Sequence, residues 1–308
     1  MTFEEFWPTY ERKKTLQVKK TTLAAYRLSW ESHLREYFGP IDMDQVKNST
    51  FQRYVDNRLL GGASAKSIQD QVIVVKNMLK LWSLEQDKPN AVFTIIWPTA
   101  QSRKPQKPRE KFTDKEVSQL VEYAKTSKDH FDKFVALAAM SGTRIGELCG
   151  LKFGDFDYKE KSIHIRRTVG RIYNGKGETE LYENTPKTVA SNRIVPIPGW
   201  LCSYFKSYQG LFNLSDEEYI TAAITGATPF LEPRTVRCKF YRLCDKVGIR
   251  RLPFHSLRHT YASRLLLART DIRTTAELLG HGDVDTTLNI YAHSDEEKKR
   301  LAAKKIFL

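Results

Sequence analysis

The sequence predicts a mainly α-helical protein with an N-terminal four-helix domain and a C-terminal α+β domain that contains a small antiparallel sheet. Apolar residues recur at helical spacing through residues 1–98 and again beyond residue 200. Alternating β-branched residues are confined to segments between residues 162 and 197. Residues 99–110, which separate the two domains, contain no large apolar residue. A chain of 308 residues can bury two such cores.

Four helices are predicted in the first domain, residues 1–98. Thr2-Phe-Glu-Glu5 has the pattern of a capping box, in which a threonine and a glutamate satisfy the first backbone amides of a helix. Gly39-Pro40 and Gly61-Gly62 are typical helix stops. After the first helix, the predicted ranges are about Thr21–Phe38, Thr50–Leu60 and Ala65–Leu84.

Residues 99–110, TAQSRKPQKPRE, are predicted to be an interdomain linker. The segment combines proline with four basic residues and cannot form part of a core. Its charge fits a strap that crosses a phosphate backbone, and its composition fits a plain solvated linker equally well.

The second domain, residues 111–308, begins with another capping pattern, Thr113-Asp-Lys-Glu116, which opens a helix to about Lys125. An apolar helix follows from Asp129 to Met140 and ends at Ser141-Gly142. Strands are predicted at 162–169, 179–186 and 192–197. Residues 170–184 are expected to form a long tip between the first two of these strands. The last two strands are expected to pair as a hairpin whose turn carries Lys187. Five further helices are predicted over 201–212, 233–247, 256–268, 273–279 and 285–292.

Composition narrows the functional class. The net charge is +14, and residues 1–110 contribute 18 basic and 12 acidic side chains while residues 111–308 contribute 32 and 24. Such an excess fits either a generally basic surface or a partner with dense negative charge, most often nucleic acid. The chain has no apolar run of membrane length and no secretory signal at its start. The four cysteines form no CxxC pair, which indicates reduced thiols in a cytoplasmic protein.

Two short motifs carry side chains suited to an anionic substrate. In SGTRIGEL, Arg144 follows an apolar helix, and Glu147 lies one helical turn further on. In HSLRHTYAS, His255 and Arg258 share a helical face, which suits an anionic oxygen and a proton transfer. His255 and His259 also have a spacing that could bind zinc, but no acidic third ligand lies nearby, so we expect no metal or other cofactor.

The segment LLGHGDVDTTLNIYAH places Tyr291 between His281 and His293. A phenol with a pKa near 10 is a weak nucleophile at neutral pH and needs neighbouring groups that favour its attack. Alone, a tyrosine on a C-terminal helix is more often a packing residue, and a lysine in a hairpin turn is usually solvated. Their significance depends on the other motifs.

Taken in order, Arg144, Lys187, His255, Arg258, His281 and Tyr291 resemble the active-site set of the tyrosine recombinases, the lambda-integrase family. SGTRIGEL resembles the first arginine box, TPKTVASNRIVPI the lysine hairpin, HSLRHTYAS the His-x-x-Arg box, and LLGHGDVDTTLNIYAH the nucleophile segment. The resemblance implies a SAM-like core-binding domain and a catalytic domain that form a C-shaped clamp on DNA. Because the core-binding helices begin almost at residue 1, we expect the compact plan without an arm-binding domain.

The resemblance also implies a role for each residue. Arg144 and Arg258 would bind the non-bridging phosphate oxygens, and His281 would donate a hydrogen bond to the same phosphate. His255 would accept the proton of Tyr291, and Lys187 would protonate the departing 5′ oxygen. Glu147 would not contact the DNA itself but would hold a residue that does, for example His255. The product would be a 3′-phosphotyrosyl bond, and religation would need neither ATP nor metal. The resemblance gives His293 no fixed role, and we expect it to lie at a helix end or to serve in packing.

The expected function is site-specific DNA recombination by the integrase of a mobile genetic element. Alternatives are relaxation of DNA by a type IB topoisomerase and regulation by a DNA-binding protein without catalysis. The apolar C-terminal end would dock on a neighbouring protomer of a synaptic tetramer, or on its own domain. Helix 233–247 could lie in the major groove or be an ordinary surface helix. The candidate DNA contacts on this helix and in the linker are Lys239, Arg242, Lys246, Arg103, Lys104 and Lys107.

Overall fold

A computed structural model describes residues 1–98, 110–175, 177–184, 192–221, 229–280 and 282. Several predicted features lie outside these residues, namely the linker to residue 109 with Arg103, Lys104 and Lys107, then Lys187, His281, Tyr291, His293 and the C-terminal helices. The chain divides into two compact units. One contains Met1–Lys107 with Arg171–Leu181, and the other contains Pro108–Gly170 with Tyr182–Leu308.

Residues 1–98 fold as the predicted helices. The capping box is confirmed, because the Thr2 hydroxyl accepts from the Glu5 amide while the Glu5 carboxylate accepts from the Thr2 amide. The predicted second helix is continuous but includes one π-helical turn, at Trp30–Leu34. The helices are α1 (Phe3–Gln17), α2 (Lys20–Ser29), α3 (Arg35–Phe38), α4 (Asn48–Leu60) and α5 (Ala65–Glu85).

Aromatic side chains fill the centre of this helical bundle. Trp7 stacks on Trp30 with ring centroids 4.7 Å apart, and Phe38 meets Phe3 edge to face at 5.8 Å. The one polar group of the buried Tyr54 is satisfied, since its hydroxyl donates to Gln71 Oε1 at 2.7 Å. Burial of such large rings supplies most of the hydrophobic stabilisation of a domain this small.

The second unit is also mainly helical. Thr113 and Glu116 form the predicted capping box, and Asp129 caps the next helix through the Phe131 amide. The helices of the described part are α6 (Asp114–Thr126), α7 (His130–Ser141), α8 (Ile145–Cys149), α9 (Gly199–Leu211), α10 (Pro233–Val247), α11 (His255–Leu267) and α12 (Ile272–Leu279).

The strands form two small antiparallel sheets. The predicted strand 162–169 is divided at Arg166-Arg167, and a two-residue strand precedes it. One sheet has the order β1-β2-β5, and the other pairs β3 with β4. The strands are β1 (Phe156–Asp157), β2 (Ser162–Ile165), β3 (Thr168–Tyr173), β4 (Thr179–Asn184) and β5 (Arg193–Pro196).

The predicted hairpin between segments 179–186 and 192–197 is wrong. β4 pairs instead with β3, and Gly175, which lies between these two strands in the chain, takes the left-handed conformation (φ 85°) that favours glycine. β5 pairs instead with β2, where Ile163 faces Val195 and both side chains are fully buried. The register therefore follows burial rather than proximity along the chain.

No helix in the described part of the chain is long and apolar enough to cross a membrane.

Candidate active site

The junction of α7 and α8 positions Arg144. Gly142 ends α7 in the left-handed conformation (φ 63°), and a Cβ atom there would lie 2.3 Å from Tyr261 Cδ1. Only glycine fits this contact without displacement. The chain then turns back into α8, with Arg144 as the residue immediately before the helix.

Arg144 is held on two sides and remains accessible. Its amide donates to Glu147 Oε2 at 2.9 Å and its Nη1 donates to Glu147 Oε1 at 2.6 Å. Its Nη2 donates to the Gly280 carbonyl at 3.1 Å. The side chain is 38% exposed, so a ligand can still reach the guanidinium group.

Arg258 lies on α11 and is buried, with 3% of its surface exposed. It donates to two carbonyl oxygens, from Nη1 to Gly142 at 2.8 Å and from Nη2 to Leu279 at 2.6 Å. Burial, followed by the neighbouring Arg144 guanidinium, lowers the pKa of Arg258 to about 9, while Glu147 acts in the opposite direction. The group therefore stays charged at neutral pH in a place where an anion would stabilise it.

Glu147 is the carboxylate at the centre of this cluster. It is buried, and besides Arg144 it accepts from Arg193 Nη2 at 2.9 Å. Burial alone would raise the pKa of the Glu147 carboxyl, but the charges and hydrogen bonds of Arg193 and Arg144 outweigh it and the pKa is lowered. Three guanidinium groups and one carboxylate thus give the described cluster a net charge of +2.

The same three arginines converge on the C-terminal end of α12. Arg193 Nε donates to the Leu278 carbonyl at 2.7 Å, Arg258 to that of Leu279, and Arg144 to that of Gly280. The last carbonyls of a helix have no partner within the helix and carry partial negative charge. Cationic donors from the residue before α8, from α11 and from β5 therefore stabilise this helix end, which is followed in the sequence by His281.

His255 is the first residue of α11 and is exposed. Its ring meets that of His259 edge to face, with centroids 4.6 Å apart. The hydrogen bonds described for Glu147 go to Arg144 and Arg193. A role for Glu147 in holding His255 stays a prediction.

The structure brings three of the predicted site residues into one cluster, Arg144, Glu147 and Arg258, with His255 on the helix of Arg258. Lys187, His281 and Tyr291 lie outside the described residues, so their roles stay predictions. Across residues 1–98, 110–175, 177–184, 192–221 and 229–280, no group of three His, Cys, Asp or Glu side chains could hold a metal ion.

Sequence reasoning missed Arg193. Its signal was present in the strand NRIVPI, in which Arg193 and Val195 are buried while Ile194 is 62% exposed. An arginine in the inward phase of an alternating strand must meet a buried acceptor.

The predicted amphipathic character of α10 is confirmed. Val236, Phe240 and Leu243 are buried. On the other side of the helix, Arg242 and Lys246 are exposed. Lys239 is half-buried, with its Nζ atom 5.5 Å from the centre of the Phe131 ring.

Comparison with known proteins links this geometry to one family. A model of the phage integrase family matches residues 110–298, and a model of the N-terminal SAM-like domain of phage integrases matches residues 2–59. The chain is 27% identical to a "Tyrosine recombinase XerC-like" protein of Caldanaerobacter subterraneus subsp. tengcongensis, with 93% of this chain and 78% of the relative covered. It is 28% identical to "Tyrosine recombinase XerC" of Thermodesulfovibrio yellowstonii, with 89% and 86% covered.

Solved structures share the fold. The Tn1549 transposon integrase in complex with a circular intermediate DNA superposes with a TM-score of 0.71 at 20% identity, and 99% of each chain is covered. A lambda integrase tetramer bound to a Holliday junction gives a TM-score of 0.62 at 18% identity, with 94% of this chain and 77% of that chain covered. These similarities confirm the expected fold class.

Proposed function

The chain belongs to the phage integrase family, and from that membership we propose that it is a site-specific DNA recombinase, the integrase of a mobile genetic element. It cleaves and rejoins DNA through a 3′-phosphotyrosyl intermediate. The observation that supports this most directly is the described cluster of Arg144, Arg193, Arg258 and Glu147, with its net charge of +2. Such a cluster suits the single negative charge of a phosphodiester and the further charge that develops during attack.

In this proposal Arg144 and Arg258 bind the non-bridging oxygens of the scissile phosphate. Arg144 is partly exposed and its guanidinium plane is fixed by Glu147, so its orientation is set before DNA binds. Arg258 is desolvated, which strengthens its interaction with an anion. His281 donates a third hydrogen bond to the same phosphate.

The remaining residues move protons. The Tyr291 oxygen attacks phosphorus and transfers its proton to His255, and the bond from phosphorus to the 5′ oxygen breaks. Lys187 donates a proton to that 5′ oxygen, which leaves as a hydroxyl. The phosphodiester energy is retained in the phosphotyrosyl bond, so a 5′ hydroxyl of another strand can reverse the step without ATP. Side chains of this protein thus accept and donate every proton that the proposed reaction moves.

The proposed partner is double-stranded DNA that carries core recombination sites. We assign residues 1–98 to a core-binding domain, 99–110 to a linker and 111–308 to the catalytic domain. We further propose a tetramer on DNA joined through the C-terminal tail, acting in the cytoplasm on DNA of the nucleoid. The proposed phosphate contacts outside the active site are Lys239, Arg242, Lys246, Arg103, Lys104 and Lys107.

The decisive experiment traps the covalent intermediate. Repeats that flank the gene would supply candidate sites. A nicked suicide substrate built from them would release the short fragment that carries the new 5′ hydroxyl and would leave the protein bound to the 3′ phosphate. We expect a covalent band with the natural chain and none with Tyr291→Phe. Tyr123→Phe, on helix α6, is the matched control and should form the band. A full band with Tyr291→Phe would overturn the assignment of the nucleophile.

The same preparation separates the alternative functions. Relaxation of a supercoiled plasmid without any candidate site, at a rate equal to that of a site-containing plasmid, would indicate a type IB topoisomerase. Unchanged biological activity in both Arg144→Ala and Tyr291→Phe would indicate a regulator that binds DNA without cleaving it.

A further inference from the structure

We infer that Arg193 is a positioning residue that sets the two phosphate-binding arginines and the C-terminal end of α12. The inference rests on the proposed function and concerns a residue outside the set that the family resemblance supplied. Arg193 itself is 8% exposed and is assigned no contact with DNA.

The strand explains why an arginine occupies this place. β5 pairs antiparallel with β2, and Arg193 stands opposite Ile165 in the register. Arg193 and Val195 both point to the buried side, and a polar group there must find partners. Among the described residues, Arg193 donates to the Glu147 carboxylate and to the Leu278 carbonyl.

Glu147 transmits the position of Arg193 to Arg144. Its Oε2 atom accepts from Arg193 Nη2 and from the Arg144 amide, while its Oε1 atom accepts from Arg144 Nη1. Both carboxylate oxygens are therefore in use, and rotation of the carboxylate would break contacts with both arginines. Removal of Arg193 leaves Glu147 with one guanidinium partner instead of two.

The end of α12 transmits the position of Arg193 along a second route. The carbonyls of three consecutive residues, Leu278, Leu279 and Gly280, each accept from a different arginine. If Arg193 is lost, the Leu278 carbonyl loses its side-chain donor and this helix end can shift. Arg258 and Arg144 donate hydrogen bonds to the next two carbonyls. One substitution would thus displace both arginines that are proposed to act on the phosphate.

A purely structural ion pair would lack this connection. Arg167 forms such a pair, because it binds the buried Asp155 carboxylate and the Gly150 carbonyl, and the hydrogen bonds described for it reach neither Glu147 nor α12. Arg193 has the same kind of partners, but both belong to the candidate active site.

The test uses Arg193→Gln and Arg193→Lys in the full chain, with Arg250→Gln as the matched control. Arg250 also spans a carboxylate and a carbonyl, those of Glu116 and Lys111, away from the arginine cluster. Each variant is assayed on the suicide substrate with a natural phosphodiester and with a neutral methylphosphonate at the scissile position. The methylphosphonate has no anionic oxygen for the guanidinium groups to neutralise.

We expect Arg193→Gln to cleave the natural substrate roughly 100-fold more slowly than the unsubstituted chain, as for a displacement of about 1 Å in a reacting geometry. Arg193→Lys should recover part of the rate, because an ammonium can reach one of the two acceptors. On the methylphosphonate the deficit of Arg193→Gln should shrink to less than about 10-fold, since the displaced guanidinium groups matter less there. Arg250→Gln should cleave both substrates at the unsubstituted rate.

Two outcomes would overturn the inference. One is an unchanged cleavage rate for Arg193→Gln on the natural substrate. The other is an equal deficit on both substrates, which would indicate general loosening of the fold. Thermal unfolding identifies a variant that fails to fold, and Arg193→Lys then serves as the test variant. If the unsubstituted chain forms no covalent band on any candidate site, the proposed function itself fails, a result distinct from failure of the Arg193 variants alone.

Discussion

Protonation of His130 should destabilise the second unit in mild acid. Its imidazole stacks on the Tyr208 ring with centroids 3.8 Å apart, and both ring nitrogens have partners. The Ile220 carbonyl, 2.6 Å from Nε2, can only accept, so Nε2 carries the proton and Nδ1 accepts from the Tyr204 hydroxyl at 3.0 Å. Burial lowers the pKa of His130 to about 4, and His130 is therefore neutral at pH 7.

The sign and size of the effect follow from this pKa. The folded-state pKa lies below the unfolded value of 6.5, so the unfolded chain binds more protons between these two pH values. The stabilisation is complete above pH 6.5 and is lost as the pH falls towards 4. Linkage over that shift gives a loss of about 2 kcal/mol in the free energy of unfolding between pH 7.5 and pH 5.

His130→Phe tests this assignment, because phenylalanine can keep the ring stack but cannot titrate. At pH 7.5 the variant should lose roughly 1–3 kcal/mol, since the Ile220 carbonyl and the Tyr204 hydroxyl lose their partner. Its further loss between pH 7.5 and pH 5 should be smaller than that of the unsubstituted chain by about 2 kcal/mol.

The buried thiols offer a local probe for the measurement. Cys149, Cys202 and Cys244 are buried and all belong to the second unit. Urea titrations at the two pH values, followed by reaction of these thiols with a dipyridyl disulfide, therefore report unfolding of that unit. His33→Gln, at an exposed position of the first unit, is the control. If the free energy of unfolding falls equally for the unsubstituted chain and for His130→Phe between pH 7.5 and pH 5, the inference that His130 is buried in its neutral form is refuted.

Two further predictions concern Gly142 at the C-terminal end of α7 and the proposed DNA contacts of α10. Gly142→Ala should lower the free energy of unfolding by roughly 2–4 kcal/mol, from left-handed strain and from the clash with Tyr261. Gly248→Ala, with the same strain but open space around the added methyl, should lose only about 1–2 kcal/mol in the same urea titration. If both glycine variants lose the same free energy of unfolding, the contact with Tyr261 does not contribute to the loss. A triple glutamine variant of α10 should reduce the slope of log affinity against log salt by up to about 2.7, and an unchanged slope would remove α10 from the DNA-binding surface. Its substituted residues are Lys239, Arg242 and Lys246.

The helices were predictable because short local motifs determine where they begin and end. The capping boxes at Thr2 and Thr113 place the starts of α1 and α6 at the expected residues. Gly142 and Gly280 adopt the left-handed conformation that ends α7 and α12. These signals involve residues within one or two turns, so no knowledge of the tertiary fold is needed.

Strand pairing was less predictable because it depends on which faces meet in the core. The sequence predicts a hairpin turn around Lys187, whereas β4 pairs with the preceding strand β3 and β5 pairs with β2. The pairing of β5 is decided by Ile163 and Val195, which are far apart in the chain but share one buried face. A pairing rule based on sequence proximity has no access to that information.

In the candidate site, too, contacts between residues close in the chain were predictable, whereas the contact between distant residues was not. Arg144, Glu147 and Arg258 were identified from motifs, and the spacing of Glu147 from Arg144 correctly predicted that the two side chains meet. The second partner of Glu147 comes from β5, 46 residues away. The alternation in NRIVPI indicates that Arg193 points inward, but only the pairing of β5 with β2 shows that it meets Glu147.

Convergence of three arginines on one helix end has an energetic consequence. Burying Arg258 opposes its charge, as its lowered pKa shows, and two carbonyl oxygens with the carboxylate of Glu147 compensate only in part. Folding therefore supplies the free energy that desolvates and orients the cation before any ligand arrives. In the proposed complex, a phosphodiester would meet charges already fixed by contacts with α8, α11, α12 and β5. Reorganisation that would otherwise oppose the reaction is completed during folding. Contacts that hold Arg144 and Arg258 in place should therefore affect the reaction rate as well as contacts with the phosphate.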